Sequence, residues 1–127
     1  MTIQRKAVWN ALKAAGKTHP NAEMIYQLAK KELPHISMGT VYRNLSAMSA
    51  RGEILRIPVM DGPDRFDGDI SKHDHAVCRG CGRLFDLPAG VTYIPDHCIP
   101  EGCRLLDTQL LLQCICAACE ENTCTNI

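Results

Sequence analysis

Apolar residues recur at helical spacing through the first fifty positions and then gather in short extended runs. Val8, Ala11, Leu12 and Ala15 mark one face of an amphipathic helix from Gln4 to Ala15, and Gly16 ends it. Asn21 is placed to cap a second helix, running to about Leu33 with Met24, Ile25, Leu28 and Ala29 on its inner face, and Pro34 closes it. Ser37 caps a third helix whose apolar stripe is Val41, Leu45 and Met48, stopped by Arg51-Gly52. Ile54 to Val59 has strand character, Asp61-Gly62-Pro63-Asp64 is a turn sequence, and Arg65-Phe66-Asp67 reads as the returning strand. Helices followed directly by a hairpin spell a winged helix-turn-helix. A plain helical module beside an unrelated hairpin is the less economical alternative.

From about Asp69 the pattern changes. Ala76-Val77-Cys78 and Leu84 to Leu87 flank a tight knuckle, Cys78-Arg79-Gly80-Cys81-Gly82. Its glycines let the backbone turn so that amides face a thiolate. Pro88 to Gly102 is rich in Pro and Gly and has no period. Gln109 to Ile115 reads as a buried strand leading into Cys116, and the polar tail from Glu120 as loosely held. The expected architecture is α+β: a winged-helix domain over residues 1–67, then a small α/β domain over 68–127, joined near Gly68.

The formal net charge of zero conceals a split. Residues 1–60 carry nine Lys/Arg against three acids, a net of +6, and residues 61–127 carry five against eleven, a net of −6. A basic first half is expected of a nucleic-acid-binding module. No apolar run approaches the length of a membrane span, and Met1 to Lys6 lacks the apolar core of a signal peptide, so a cytoplasmic location with no membrane partner is expected.

Eight cysteines in such a compartment point to metal rather than to disulfides. The two Cys-x-x-Cys pairs, Cys78/Cys81 and Cys116/Cys119, supply the four thiolates of a closed tetrahedral zinc site, with a redox dithiol as the opposing reading. Thirty-four residues separate the pairs, so the intervening chain must fold back, as an antiparallel sheet would allow. His73 and His75, two apart in extended chain with Asp67 and Asp86 flanking them, suit a harder metal such as Fe(II) or Mn(II). Taken alone, His19 before a proline is a solvated loop residue. Cys98, Cys103 and Cys114 read as small buried apolar residues, and Cys124 as an exposed tail thiol. There is no HExxH, and no motif supports His97 and Cys98 as a catalytic pair, so no enzyme is expected.

Several stretches together resemble the ferric uptake regulator family of bacterial metalloregulators. They are Gln4-Arg5, His19 to Tyr26, Ile36 to Leu45, Arg65-Phe66-Asp67 and His73 to Gly82. The resemblance implies a homodimer that binds a double-stranded DNA operator and represses transcription when a regulatory metal is bound. It implies Cys78, Cys81, Cys116 and Cys119 as structural zinc ligands, and His19, Asp67, His73, His75 and Asp86 as ligands to regulatory iron or manganese. It places Tyr42 and Arg43 at DNA-reading positions, with Thr40 and Asn44 beside them. Aspartates at both 67 and 86 resemble the peroxide-sensing branch, in which Fe(II) and hydrogen peroxide oxidise a ligand histidine, here His19 or His73. The iron-responsive branch tends to carry glutamate there. The chain departs from the family pattern in starting at the Gln-Arg helix, in the Pro-rich stretch after Asp86, and in Asp107 and Thr108, where some relatives have histidine.

Overall fold

The computed structural model describes residues 2–88 and 93–122. It divides into two compact units, Met1–Ser71 and Lys72–Ile127. No helix among the described residues is long and apolar enough to cross a membrane.

In the first unit, three helices are followed by a two-stranded hairpin: α1 (Ile3–Ala15), α2 (Ala22–Glu32), α3 (Met38–Ala50), β1 (Leu55–Ile57) and β2 (Arg65–Asp67). Each helix begins on a side-chain cap. Thr2 Oγ1 accepts from the amide of Arg5 at 3.1 Å, Asn21 Oδ1 from Met24 at 2.9 Å and Ser37 Oγ from Thr40 at 3.1 Å. Each cap satisfies an amide that has no partner within the helix, a contribution of about 1 kcal/mol. Val8 and Leu12 from α1, Ile25 and Ala29 from α2, and Val41, Leu45 and Met48 from α3 meet in one core that Ile54 and Phe66 complete. Met24 is a correction. It is 42 % exposed, because it lies about 100° round the helix from the buried Ile25 and flanks the stripe.

β1 and β2 pair antiparallel, Arg56 opposite Phe66. β2 is also tied to the stretch before α2: the amide of Phe66 donates to the carbonyl of Pro20 at 2.9 Å, and Asn21 bridges Arg65. The unit is a winged helix-turn-helix.

The second unit is a three-stranded mixed sheet in the order β4-β3-β5, with β3 (Asp74–Cys78), β4 (Leu84–Leu87) and β5 (Leu111–Cys114), followed by the short α4 (Ala117–Glu120). β3 and β4 flank the knuckle as expected and form an antiparallel hairpin around it. β5 differs from expectation twice. It runs parallel to β3, with Cys114 in register with Cys78. It is also not buried: Leu112 is 45 % exposed and Ile115 47 %. As an edge strand in one chain it is covered on one side only. Between Tyr93 and Leu110 the regular elements are a 3₁₀ turn at Asp96–Cys98 and a turn at Pro100–Cys103. Cys98 and Cys103 are exposed rather than buried, because no core forms beneath this stretch, while Cys114 is half-buried. Glu120 closes α4, and Cys124 lies outside the described residues.

Candidate metal centre

Parallel pairing of β3 with β5 gives Cys78 and Cys114 the same height in the sheet, and the chain then delivers Cys116 and Cys119 beside the knuckle. The Cys78 and Cys119 sulfurs lie 3.6 Å apart, those of Cys81 and Cys116 3.9 Å, and all four thiols lie within 4.8 Å of one another. Zn–S bonds of about 2.3 Å at tetrahedral angles place sulfurs roughly 3.8 Å apart, so the cluster has the dimensions of a structural zinc site. Zinc held by all four thiolates would have no position open for water.

The backbone prepares Cys78 for this charge. Amides of Cys116, Cys81 and Gly80 point at its sulfur, at 3.2 Å from Cys116 and 3.3 Å from Gly80. These hydrogen bonds, that from Cys116 foremost, bring its thiol down to about 6. A Cβ on Gly80 would stand 2.9 Å from the Cys119 sulfur, so the knuckle needs glycine there for lack of space. Gly82 has φ +78°, a left-handed conformation that glycine adopts without strain. Cys114 packs against the cluster as a fifth sulfur. Burial pushes its thiol up, and the neighbouring sulfurs of Cys78, Cys116 and Cys81 push it in the same direction.

The second donor set begins on the same sheet. Antiparallel pairing sets His75 opposite Asp86. His73, two residues back, shares its face. Asp86 Oδ1 lies 3.3 Å from His73 Nε2 and 3.4 Å from His75 Nε2, and the two imidazoles are 4.5 Å apart. Asp74, the acid between the histidines, is turned away: its Oδ1 accepts from the amide of Leu110 and helps to hold β5. Two imidazoles and a carboxylate in this arrangement suit a divalent first-row metal.

In the first unit His19 Nε2 lies 3.5 Å from Asp67 Oδ2, both residues being buried. The solvated-loop alternative for His19 is thereby overturned. Attachment of β2 to Pro20 carries Asp67 to it. His19 has φ +52°, in the left-handed region that few residues other than glycine occupy. Arg65, whose role the sequence did not disclose, clamps that backbone: Nε donates to the carbonyl of His19 and Nη2 to that of Thr18 at 3.3 Å.

On α3, Tyr42 and Arg43 are exposed, the former by 46 %. Arg43 Nη2 donates to Thr40 Oγ1 at 3.1 Å, and Asn44 Nδ2 is turned back to the Thr40 carbonyl at 2.9 Å. His97 and Cys98 are both exposed on the 3₁₀ turn.

Residues 1–110 match the family model described as the ferric uptake regulator family. The chain is 37 % identical over 87 residues to the peroxide-responsive repressor PerR of Staphylococcus saprophyticus, covering 68 % of this chain and 58 % of that relative. The chain thus spans little more than half of that relative's length. Among solved structures, it is similar to the Campylobacter jejuni peroxide stress regulator, with a TM-score of 0.70 at 28 % identity over 90 % of this chain and 86 % of that one. The ferric uptake regulator from Pseudomonas aeruginosa with manganese gives a TM-score of 0.66 at 26 % identity, covering 92 % and 90 %. With the family model matched along most of its length, the chain belongs to the ferric uptake regulator family.

Proposed function

We propose that the chain is a metal-dependent DNA-binding transcriptional repressor that senses hydrogen peroxide through iron-catalysed oxidation of a histidine. In this reading residues 1–67 are the DNA-binding domain and 68–127 the metal-binding dimerisation domain. Cys78, Cys81, Cys116 and Cys119 hold zinc that maintains the second domain. His19 and Asp67, together with His73, His75 and Asp86, serve as ligands to one regulatory Fe(II) or Mn(II). A ligand set drawn from both domains makes the ion select one arrangement of the pair, the condition for a switch.

The observation that carries the reading is the approach of Asp86 to both His73 and His75, with His19 and Asp67 paired in the same way. All the carboxylates in the set are aspartates. Bound iron supplies the one-electron chemistry that turns peroxide into a local oxidant. In this reading an imidazole of the set, His19 or His73, would take one peroxide oxygen onto its ring and the other would leave as water. An oxidised His19 or His73 would be a poorer ligand, so the set would hold the ion less tightly and repression would end.

Tyr42, Arg43, Thr40 and Asn44 on α3 are proposed as the residues that meet the operator. An arginine in the major groove pairs with guanine through two hydrogen bonds, and the net +6 of residues 1–60 favours the phosphate backbone. Homodimerisation is supported by the exposed apolar side chains of Leu112 and Ile115 at the β5 edge.

The test is peptide mass spectrometry after brief exposure of the Fe(II)-loaded chain to dilute peroxide, with a Mn(II)-loaded control. An added oxygen on His19 or His73 in the iron form alone is expected. Intact histidines, with operator binding still dependent on Fe(II), would make the chain an iron-status regulator with the same fold and site.

A further inference from the structure

Arg56 on β1 reaches out of the wing onto α3. Its Nε donates to Asp64 Oδ2 at 2.6 Å, its Nη1 lies 3.4 Å from Ser46 Oγ, and its Nη2 donates to the hydroxyl oxygen of Tyr42 at 2.7 Å. The guanidinium also stands 5.4 Å from the Tyr42 ring and 5.7 Å from that of Phe66. Every nitrogen of this cation has a protein partner, and its charge is offset by a carboxylate at hydrogen-bond distance. An arginine so engaged is poorly placed to bind phosphate, although it sits in a basic unit beside an exposed helix face. Its geometry serves a different purpose.

A phenol has one proton to give and lone pairs with which to accept. With Arg56 donating into the oxygen, the Tyr42 O–H proton must point away from the guanidinium. Among the described residues no acceptor for that proton is recorded, and Tyr42 is 46 % exposed. A hydrogen bond from a cation also polarises the hydroxyl and makes it a stronger donor.

We infer that Arg56, anchored by Asp64, is a positioning residue that fixes the Tyr42 hydroxyl as an outward-pointing donor to an acceptor on the DNA duplex. This rests on the DNA-binding reading above. The acceptor is a base edge in the major groove or a phosphate oxygen; both present the oxygen or nitrogen lone pair the hydroxyl needs. Wing and helix thereby act as one reading unit: Asp64 sits just before β2, so displacement of the hairpin releases Tyr42.

The experiment is a double-mutant cycle with the 127-residue chain loaded with zinc and Mn(II). Its probe is the duplex that the wild type itself selects from a random-sequence pool. Tyr42→Phe is expected to weaken binding about tenfold, the size of one hydrogen bond. Arg56→Met should cost a similar factor, and the double variant little more than either alone, since each removes the same contact. Arg56→Lys keeps the charge but not the fork, and should recover only part of the loss. Uniform weakening across sequences assigns the acceptor to phosphate, and a relaxed preference at one base pair assigns it to a base edge.

Additive losses from Tyr42→Phe and Arg56→Met would overturn the inference while leaving DNA binding intact. Failure of the wild-type chain to select any sequence would refute DNA binding and the inference with it. Should Arg56→Met unfold the first unit, seen as lost helical circular dichroism, Asp64→Asn provides the second cycle. It leaves Arg56 in place and removes its anchor, and its loss must likewise be non-additive with Tyr42→Phe.

Discussion

The amide of Cys116 donates to the sulfur of Cys78 at 3.2 Å, although the two residues are 38 positions apart. One hydrogen bond thus joins the two Cys-x-x-Cys pairs before any metal is considered. It also places the stabilised thiolate where the pairs meet. The main buried cluster of the second unit is itself made of sulfur, with Cys78, Cys81 and Cys116 at its centre and Phe85, Cys114, Ala118 and Cys119 around them.

Removal of zinc should therefore unfold the second unit. Without the ion, several thiols and at least one thiolate would share a small core that has little apolar surface to replace the lost bonds. The first unit has its own core of Leu12, Ile25, Leu45, Met48 and Phe66 and should persist. Hydrogen exchange on chelator-treated protein checks this: amides of β3, β4 and β5 should lose protection and those of α1 to α3 keep it. Uniform loss across both units would contradict it.

Gly80→Ala should weaken zinc binding by at least tenfold, because the added methyl would stand 2.9 Å from the sulfur of Cys119. A zinc-bound sulfur cannot move aside without distorting the tetrahedron. Competition against a chromophoric chelator measures the change, and wild-type affinity in the variant would show that the knuckle has room to shift.

Asp86→Ala removes the oxygen that lies within 3.4 Å of both His73 and His75. If these residues hold the regulatory ion, Mn(II) affinity should drop by about two orders of magnitude or more, while the zinc content stays at one per chain. Calorimetric titration of the zinc-loaded variant with Mn(II) reads this directly.

Arg65→Met leaves the His19 backbone in its left-handed conformation without the guanidinium that holds the carbonyls of Thr18 and His19. The segment should relax and Mn(II) affinity fall about tenfold, as is usual when the support behind a metal ligand is lost. An unchanged Mn(II) titration would show that His19 needs no such clamp.

Leu45→Ala should destabilise the first unit by about 2–5 kcal/mol, since Leu45 is fully buried between the helices and the wing and its removal leaves a cavity. Urea unfolding followed by helical circular dichroism gives the value, and a cost below about 1 kcal/mol would mean that the core collapses into the space.

The helices were legible because their signals are local. Asn21 and Ser37 stand one residue before the turns they cap, and Val41, Leu45 and Met48 repeat at the helical period. Met24 misled because the residue type alone does not say how far the stripe extends round the helix. Cys98 and Cys103 misled for a related reason: a small thiol suits a core, but the stretch around them builds none. Leu110-Leu111-Leu112 likewise suggested a buried strand, whereas β5 lies at the sheet edge.

The sequence by itself determined the donors, their spacing within each knuckle, the three helices with the caps of the second and third, and the hairpin that follows them, because each depends on residues within about a turn of one another. Tertiary structure decided the rest. The parallel placement of β5 follows a long crossover with no period of its own, and only that placement joins Cys116 to Cys78. Pairing of β2 with Pro20 turned His19 from a loop residue into the neighbour of Asp67, across 48 positions of chain. Arg56 found Tyr42 only once the wing had folded against the third helix. In each case the energy lies in contacts between distant segments, which no local pattern of hydrophobic and polar residues encodes.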